Sequence, residues 1–78
     1  MFPKRLRATR MKCHFTQQAM ADKLCISLNA YQKYEQAERS PSLDCLVQIA
    51  DILSVPTDYL LGRDEYLQSI GVHIDMFQ

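Results

Sequence analysis

Apolar residues recur at helical spacing along most of this 78-residue chain. Pro3 suits the first turn of a helix, and Leu6 and Arg10 lie on one face of it, with Met11 and Cys13 nearby. That helix is expected to end near His14. Thr16 is a good N-cap for a two-turn helix, Gln17 to Leu24, whose inner stripe is Met20, Ala21 and Leu24. Ser27 caps a third helix running to about Gln36, with Ala30, Tyr31 and Tyr34 inward. Pro41 and Ser42 restart the chain, and Asp44 in the first turn complements the helix dipole. Leu43, Leu46, Val47, Ile49, Ala50 and Leu53 then repeat at helical spacing. Pro56 and Thr57 open a short helix over Asp58 to Leu61, and Gly62 suits its C-terminal end. The pattern predicts an all-α fold of five helices, compact, with short connections.

The last sixteen residues read differently. Ile70, Val72, Ile74 and Met76 alternate with Ser69, Gly71, His73 and Asp75, the period of a strand with one apolar face. Leu67, Ile70, Ile74 and Phe77 also fit a helix, but Gly71 and the β-branched residues weigh against it. The expected organisation is therefore a helical domain over residues 1–62 and a C-terminal extension over 63–78 that holds a strand.

Composition narrows the class. A hydrophobic content of 47% supports a small core and is too high for a disordered tail. No apolar run approaches the roughly 20 residues needed to span a bilayer. The basic N-terminus lacks the apolar stretch of a secretory signal, so a cytoplasmic location is expected. The formal net charge is zero, yet it divides sharply. Residues 1–40 carry eight basic and three acidic side chains, and residues 41–78 carry one and six. Such a molecule can turn a basic surface to a polyanion and its acidic end away.

Cys13, Cys25 and Cys45 are odd in number and form no Cys-x-x-Cys pair, and neither His14 nor His73 sits at finger-like spacing from two of them. They read as small buried thiols, and no metal site is expected. The chain has no glycine-rich phosphate loop and no nucleophile elbow, so no enzyme chemistry, cofactor or small-molecule ligand is expected.

Chemistry concentrates in residues 15–36. With Ala30, Tyr31 and Tyr34 inward, the third helix turns Leu28, Asn29, Gln32, Lys33 and Gln36 outward. Asn and Gln can pair with adenine in the major groove, Lys can donate to guanine, and Leu28 could meet a thymine methyl. Thr16, Gln17 and Gln18 open the preceding helix, where backbone amides and side chains can donate to a phosphate. The bland reading is a solvated helix face.

The string resembles the lambda-repressor-like, or Cro/repressor-type, helix-turn-helix domain. The matching residues are Arg10, Phe15-Thr16-Gln17-Gln18, Ala21-Asp22-Lys23-Leu24, Ile26-Ser27 and Tyr34-Glu35. Pro41-Ser42-Leu43, Leu46, Ile49, Ala50, Val55 and Asp58-Tyr59-Leu60-Leu61-Gly62 continue the match. The resemblance implies five helices, the second and third reading DNA. It implies that Gln17 clamps a phosphate and braces the third helix, and that Leu28, Asn29 and Lys33 contact bases. Arg39 and Ser40 fall in a loop that touches backbone in that family. Arg10 and Glu35 match a salt bridge that ties the first helix to the third.

Departures from the pattern carry their own expectations. His14, Cys25 and Ala37 stand where the family often has glycine, which costs about 1–2 kcal/mol each or shifts the turn. Ala19 replaces the acidic residue that would complete a capping box with Thr16. Tyr31 replaces a smaller aliphatic side chain, so its hydroxyl must reach water, a protein partner or DNA. The expected function is sequence-specific binding of a double-stranded DNA operator by a transcriptional regulator, a repressor in kind, acting as a homodimer. The tail strand would pair with its copy. The alternative is an antitoxin-like interaction module of a toxin–antitoxin pair that also binds DNA and grips a basic partner with its acidic C-terminal half.

Overall fold

In a computed structural model describing residues 1–78, six α-helices and one 3₁₀ turn follow one another without a strand. They are α1 (Phe2–Lys12), α2 (Gln17–Leu24), α3 (Leu28–Glu35), α4 (Leu43–Leu53), α5 (Thr57–Leu60) and α6 (Asp64–Ser69), then the 3₁₀ turn Ile74–Phe77. Three hydroxyls start three of them. Thr16, Ser27 and Ser42 each sit in extended backbone and accept from the amides of Ala19, Ala30 and Cys45 at 3.0, 3.0 and 3.1 Å. Each satisfies a donor that the first helical turn leaves orphaned.

The helix ends share one geometry. His14, Cys25, Ala37 and Ser54 adopt φ of 62°, 57°, 62° and 58°, in the left-handed region. At each, the next residue donates back across the end: Phe15 to Arg10 O, Ile26 to Ala21 O, Glu38 to Lys33 O and Val55 to Ala50 O, all at 3.0–3.1 Å. The departures from glycine therefore do not shift the turns. The chain accepts left-handed strain, and at three of the four ends the residue that follows explains why: Phe15, Ile26 and Val55 pack against the core. Ser54 was not expected in this set. Cys25→Gly and Ala37→Gly should each stabilise the domain by about 0.5–1 kcal/mol, the relief of strain less the added freedom of the unfolded chain. Urea denaturation checks this, and a loss of stability at both sites would contradict it.

The core gathers Leu6, Met20, Ala21, Leu24, Tyr31, Tyr34, Ile49, Ala50, Leu53 and Leu60 from α1 to α5. Tyr31 is its largest fully buried side chain. Two members of the α4 apolar repeat lie outside it, Leu43 at 82% exposure and Val47 at 51%. The thiols also depart from expectation: Cys25 is exposed, and Cys13 and Cys45 are half-buried.

The tail corrects the expected strand. Residues 64–69 form α6, which Asp64 and Glu65 open at its positive end. Arg5 of α1 holds that end, donating to both Asp64 oxygens at 2.6 and 2.7 Å and to Tyr59 O at 2.8 Å. Gly71 takes φ 86° and closes the helix through Val72 N to Leu67 O at 2.9 Å. The alternation that suggested a strand straddles this break. A lone strand would have left its backbone groups unpaired. Instead Leu67 is buried, and the 3₁₀ turn lays the Phe77 ring 5.1 Å from that of Tyr59.

Candidate nucleic-acid interface

Two residues, Cys25 and Ile26, separate α2 from the cap of α3, so the two helices meet at a tight corner. Ala21 is fully buried there, which lets the backbones approach. With Tyr31 and Tyr34 buried beneath, α3 and its C-cap turn Asn29 and Gln36 to solvent and leave Leu28, Gln32 and Lys33 half-exposed. Thr16 and Gln18 are exposed at the start of α2, beside a half-buried Gln17. Arg39 and Ser40 are exposed after α3. Lys33 and Arg39 have no acidic partner within ion-pair distance, so their charges are free for an outside ligand.

Gln18 differs from its neighbours. Its amide donates to Asp22 Oδ1 at 2.8 Å along the same helix. A phosphate would have to compete with that bond for the side chain, although the Gln18 backbone amide at the helix start stays available.

Beneath this surface Glu35 gathers four donors. Arg10 reaches it with Nε at 2.7 Å and Nη2 at 3.2 Å, Gln17 with Nε2 at 3.2 Å, and the Tyr31 hydroxyl donates to Oε2. Arg10 also donates to Phe15 O at 2.8 Å, so it spans α1, the αL corner and α3. The Glu35 and Arg10 side chains are only 4% and 11% exposed. Burial alone would raise the Glu35 carboxyl; the hydrogen bonds from Arg10, Tyr31 and Gln17 outweigh it and hold the group below its ordinary value. Burial, then the bond to Glu35, pushes the Tyr31 hydroxyl far above its usual range, so it remains a donor. Tyr31 thus finds its partner inside the protein. Gln17 in turn accepts from Gln32 Nε2 at 3.2 Å, which fastens α2 to α3 at the surface.

Sequence reasoning missed Arg7. It stands one helical turn before Arg10 and lines a polar depression with Thr16, Gln17 and Gln36. The i, i+3 spacing of Arg7 and Arg10 was the available signal. No three of the His, Cys, Asp and Glu side chains gather where they could share a metal ion.

The helix-turn-helix family profile matches residues 6–60. The HTH-type transcriptional regulator ImmR of Bacillus subtilis is 44% identical over 62 residues, covering 80% of this chain and 49% of its own length. The cryptic phage CTXphi transcriptional repressor RstR of Vibrio cholerae is 46% identical over 59 residues, covering 76% and 53%. The HTH-type transcriptional regulator AnsR of Bacillus subtilis is 36% identical over 72 residues, covering 92% and 62%. The chain spans about half the length of the first two. No solved structure matches it significantly. Three hydroxyl caps and four left-handed corners, an Arg10–Glu35 pair beneath the surface and a profile match from Leu6 to Leu60 have one meaning: the chain belongs to the helix-turn-helix family, in its lambda-repressor-like branch.

Proposed function

We propose that this chain binds double-stranded DNA sequence-specifically as a transcriptional regulator, a repressor in kind, and that it works as a binding module without catalysis. The observation that carries the reading is α3. Its buried side is anchored by Tyr31 and Tyr34, and its outer side presents Asn29, Lys33 and Gln36 with no internal partner for Lys33. Set in a major groove, that face offers the donors and acceptors that base edges require. Arg7, the α2 amides, Gln17, Arg39 and Ser40 flank it as phosphate contacts. Residues 1–62 carry this reading, and 63–78 brace α1 and α5 through Asp64 on Arg5 and Phe77 on Tyr59. A homodimer would read two half-sites about 34 Å apart. No helix is long and apolar enough to cross a membrane, and the reading places the protein in the cytoplasm with its DNA.

Selection of bound sequences from random DNA tests the reading. The wild type should enrich a short motif, and Lys33→Ala should cost about 1–3 kcal/mol against that motif and relax one of its positions. Arg39→Ala should instead weaken all sequences evenly and lower the slope of affinity with salt by about one. Even weakening by Lys33→Ala would make Lys33 a phosphate contact, and no enrichment by the wild type would end the reading.

A further inference from the structure

The hydrogen bonds around Glu35 have a direction. An ionised carboxylate accepts and cannot donate. Gln17 must therefore turn its Nε2 to Glu35, at 3.2 Å, which commits its Oε1 to the other side. That oxygen accepts from Gln32 Nε2, also at 3.2 Å, so Gln32 too has a single amide orientation. Arg10 and the Tyr31 hydroxyl fill the rest of the carboxylate and keep it from rotating away. At the end of the relay Gln32 is half-exposed on α3, beside Lys33 and one turn before Gln36. Its Oε1 and one N–H remain unused by the protein.

We infer that Glu35 sets the amide polarity of Gln32 through Gln17, and that Gln32 so presented selects adenine at one position of the half-site. The inference rests on the DNA-binding reading above. Adenine offers an N6 donor and an N7 acceptor in the major groove, the complement of one acceptor and one donor on the glutamine. Guanine offers two acceptors there and leaves Gln32 Oε1 facing a lone pair. A free glutamine could rotate its amide to suit either base and would lose side-chain freedom on docking. The relay removes both. Glu35 and Gln17 are positioning residues; Gln32 touches the base.

The test compares the wild type, Gln17→Met and Gln32→Met in the same selection at fixed salt. Methionine keeps the length of glutamine and removes its polarity. The wild type should prefer adenine at one position by about tenfold. Both variants should reduce that preference to about twofold or less and leave the other positions unchanged. Gln17→Met should also weaken every sequence, since it loses a phosphate contact. If Gln17→Met weakens binding evenly and keeps the adenine preference, the relay is overturned. A preference for another base at the position that Gln32→Met erases overturns it as well. The free protein separates the relay from the DNA reading: Gln17→Met should shift the Gln32 side-chain amide resonances in ¹⁵N spectra. Unshifted resonances overturn the relay whatever the DNA result, and shifted resonances with no motif enriched by the wild type fault the DNA reading and the adenine assignment instead.

Discussion

Replacing Glu35 with alanine should destabilise the domain by about 3–5 kcal/mol, the usual result of removing one partner of a buried ion pair. The loss comes less from the attraction than from what is left behind. Arg10 would keep its charge, on a side chain only 11% exposed, with no carboxylate to face. The Tyr31 hydroxyl, inside the fully buried ring of the core, would lose its acceptor. Against a total of about 4–12 kcal/mol for a chain of this size, that loss removes at least about a quarter of the stability. Urea denaturation of Glu35→Ala measures it, and a cost under about 1 kcal/mol would show that the network is replaceable by water.

The network also sets a pH window. Glu35 has a folded value depressed below 4.5, so its contribution is fully present above that pH and is lost as pH falls through the folded value. Tyr31 acts at the other end. Its folded value is raised above 10.0, so its contribution is complete below pH 10 and declines as pH rises from there through the raised folded value. Glu35→Gln, which keeps the shape and loses the charge, should remove its share of the acid limb of the stability profile. An acid limb identical to that of the wild type would assign it to other carboxylates.

The parts of this fold that were legible before any coordinates are those written in local chemistry. Thr16, Ser27 and Ser42 each announced a helix start, because a hydroxyl just ahead of an apolar repeat has one use there. Arg10 and Glu35, 25 residues apart, could be paired only through the family resemblance, since no local pattern reaches that far. His14, Cys25 and Ala37 were suspected as left-handed corners through the same route, whereas Ser54, with the same φ, was not. A serine gives no local sign of a left-handed helix end, because that conformation is held by Val55 packing behind it. The relay from Glu35 to Gln32 depends on which way two amides turn, which only the three-dimensional neighbours decide.

The tail gives the sharpest contrast. A strand over its alternating residues would put Ile70 and Met76 on a common apolar face and leave Leu67 incidental. In the structure Leu67 is 2% exposed, while Ile70 is 57% and Met76 is 67%. Leu67→Ala should therefore cost about 2–4 kcal/mol, the transfer of a buried leucine together with the cavity it leaves between α6 and the domain. The midpoint of thermal unfolding should fall by roughly 8–30 °C. Ile70→Ala and Met76→Ala should stay within about 0.5 kcal/mol of the wild type, as exposed substitutions do. The order of the three decides between the two architectures. A tail that paired with a second copy through its alternating face would make Ile70→Ala and Met76→Ala the damaging changes, with a midpoint that depends on protein concentration. A tail that braces its own domain makes Leu67 the damaging site at every concentration. Arg5, donating to Asp64 and Tyr59 at once, and Phe77 against Tyr59 hold the tail to the same protomer.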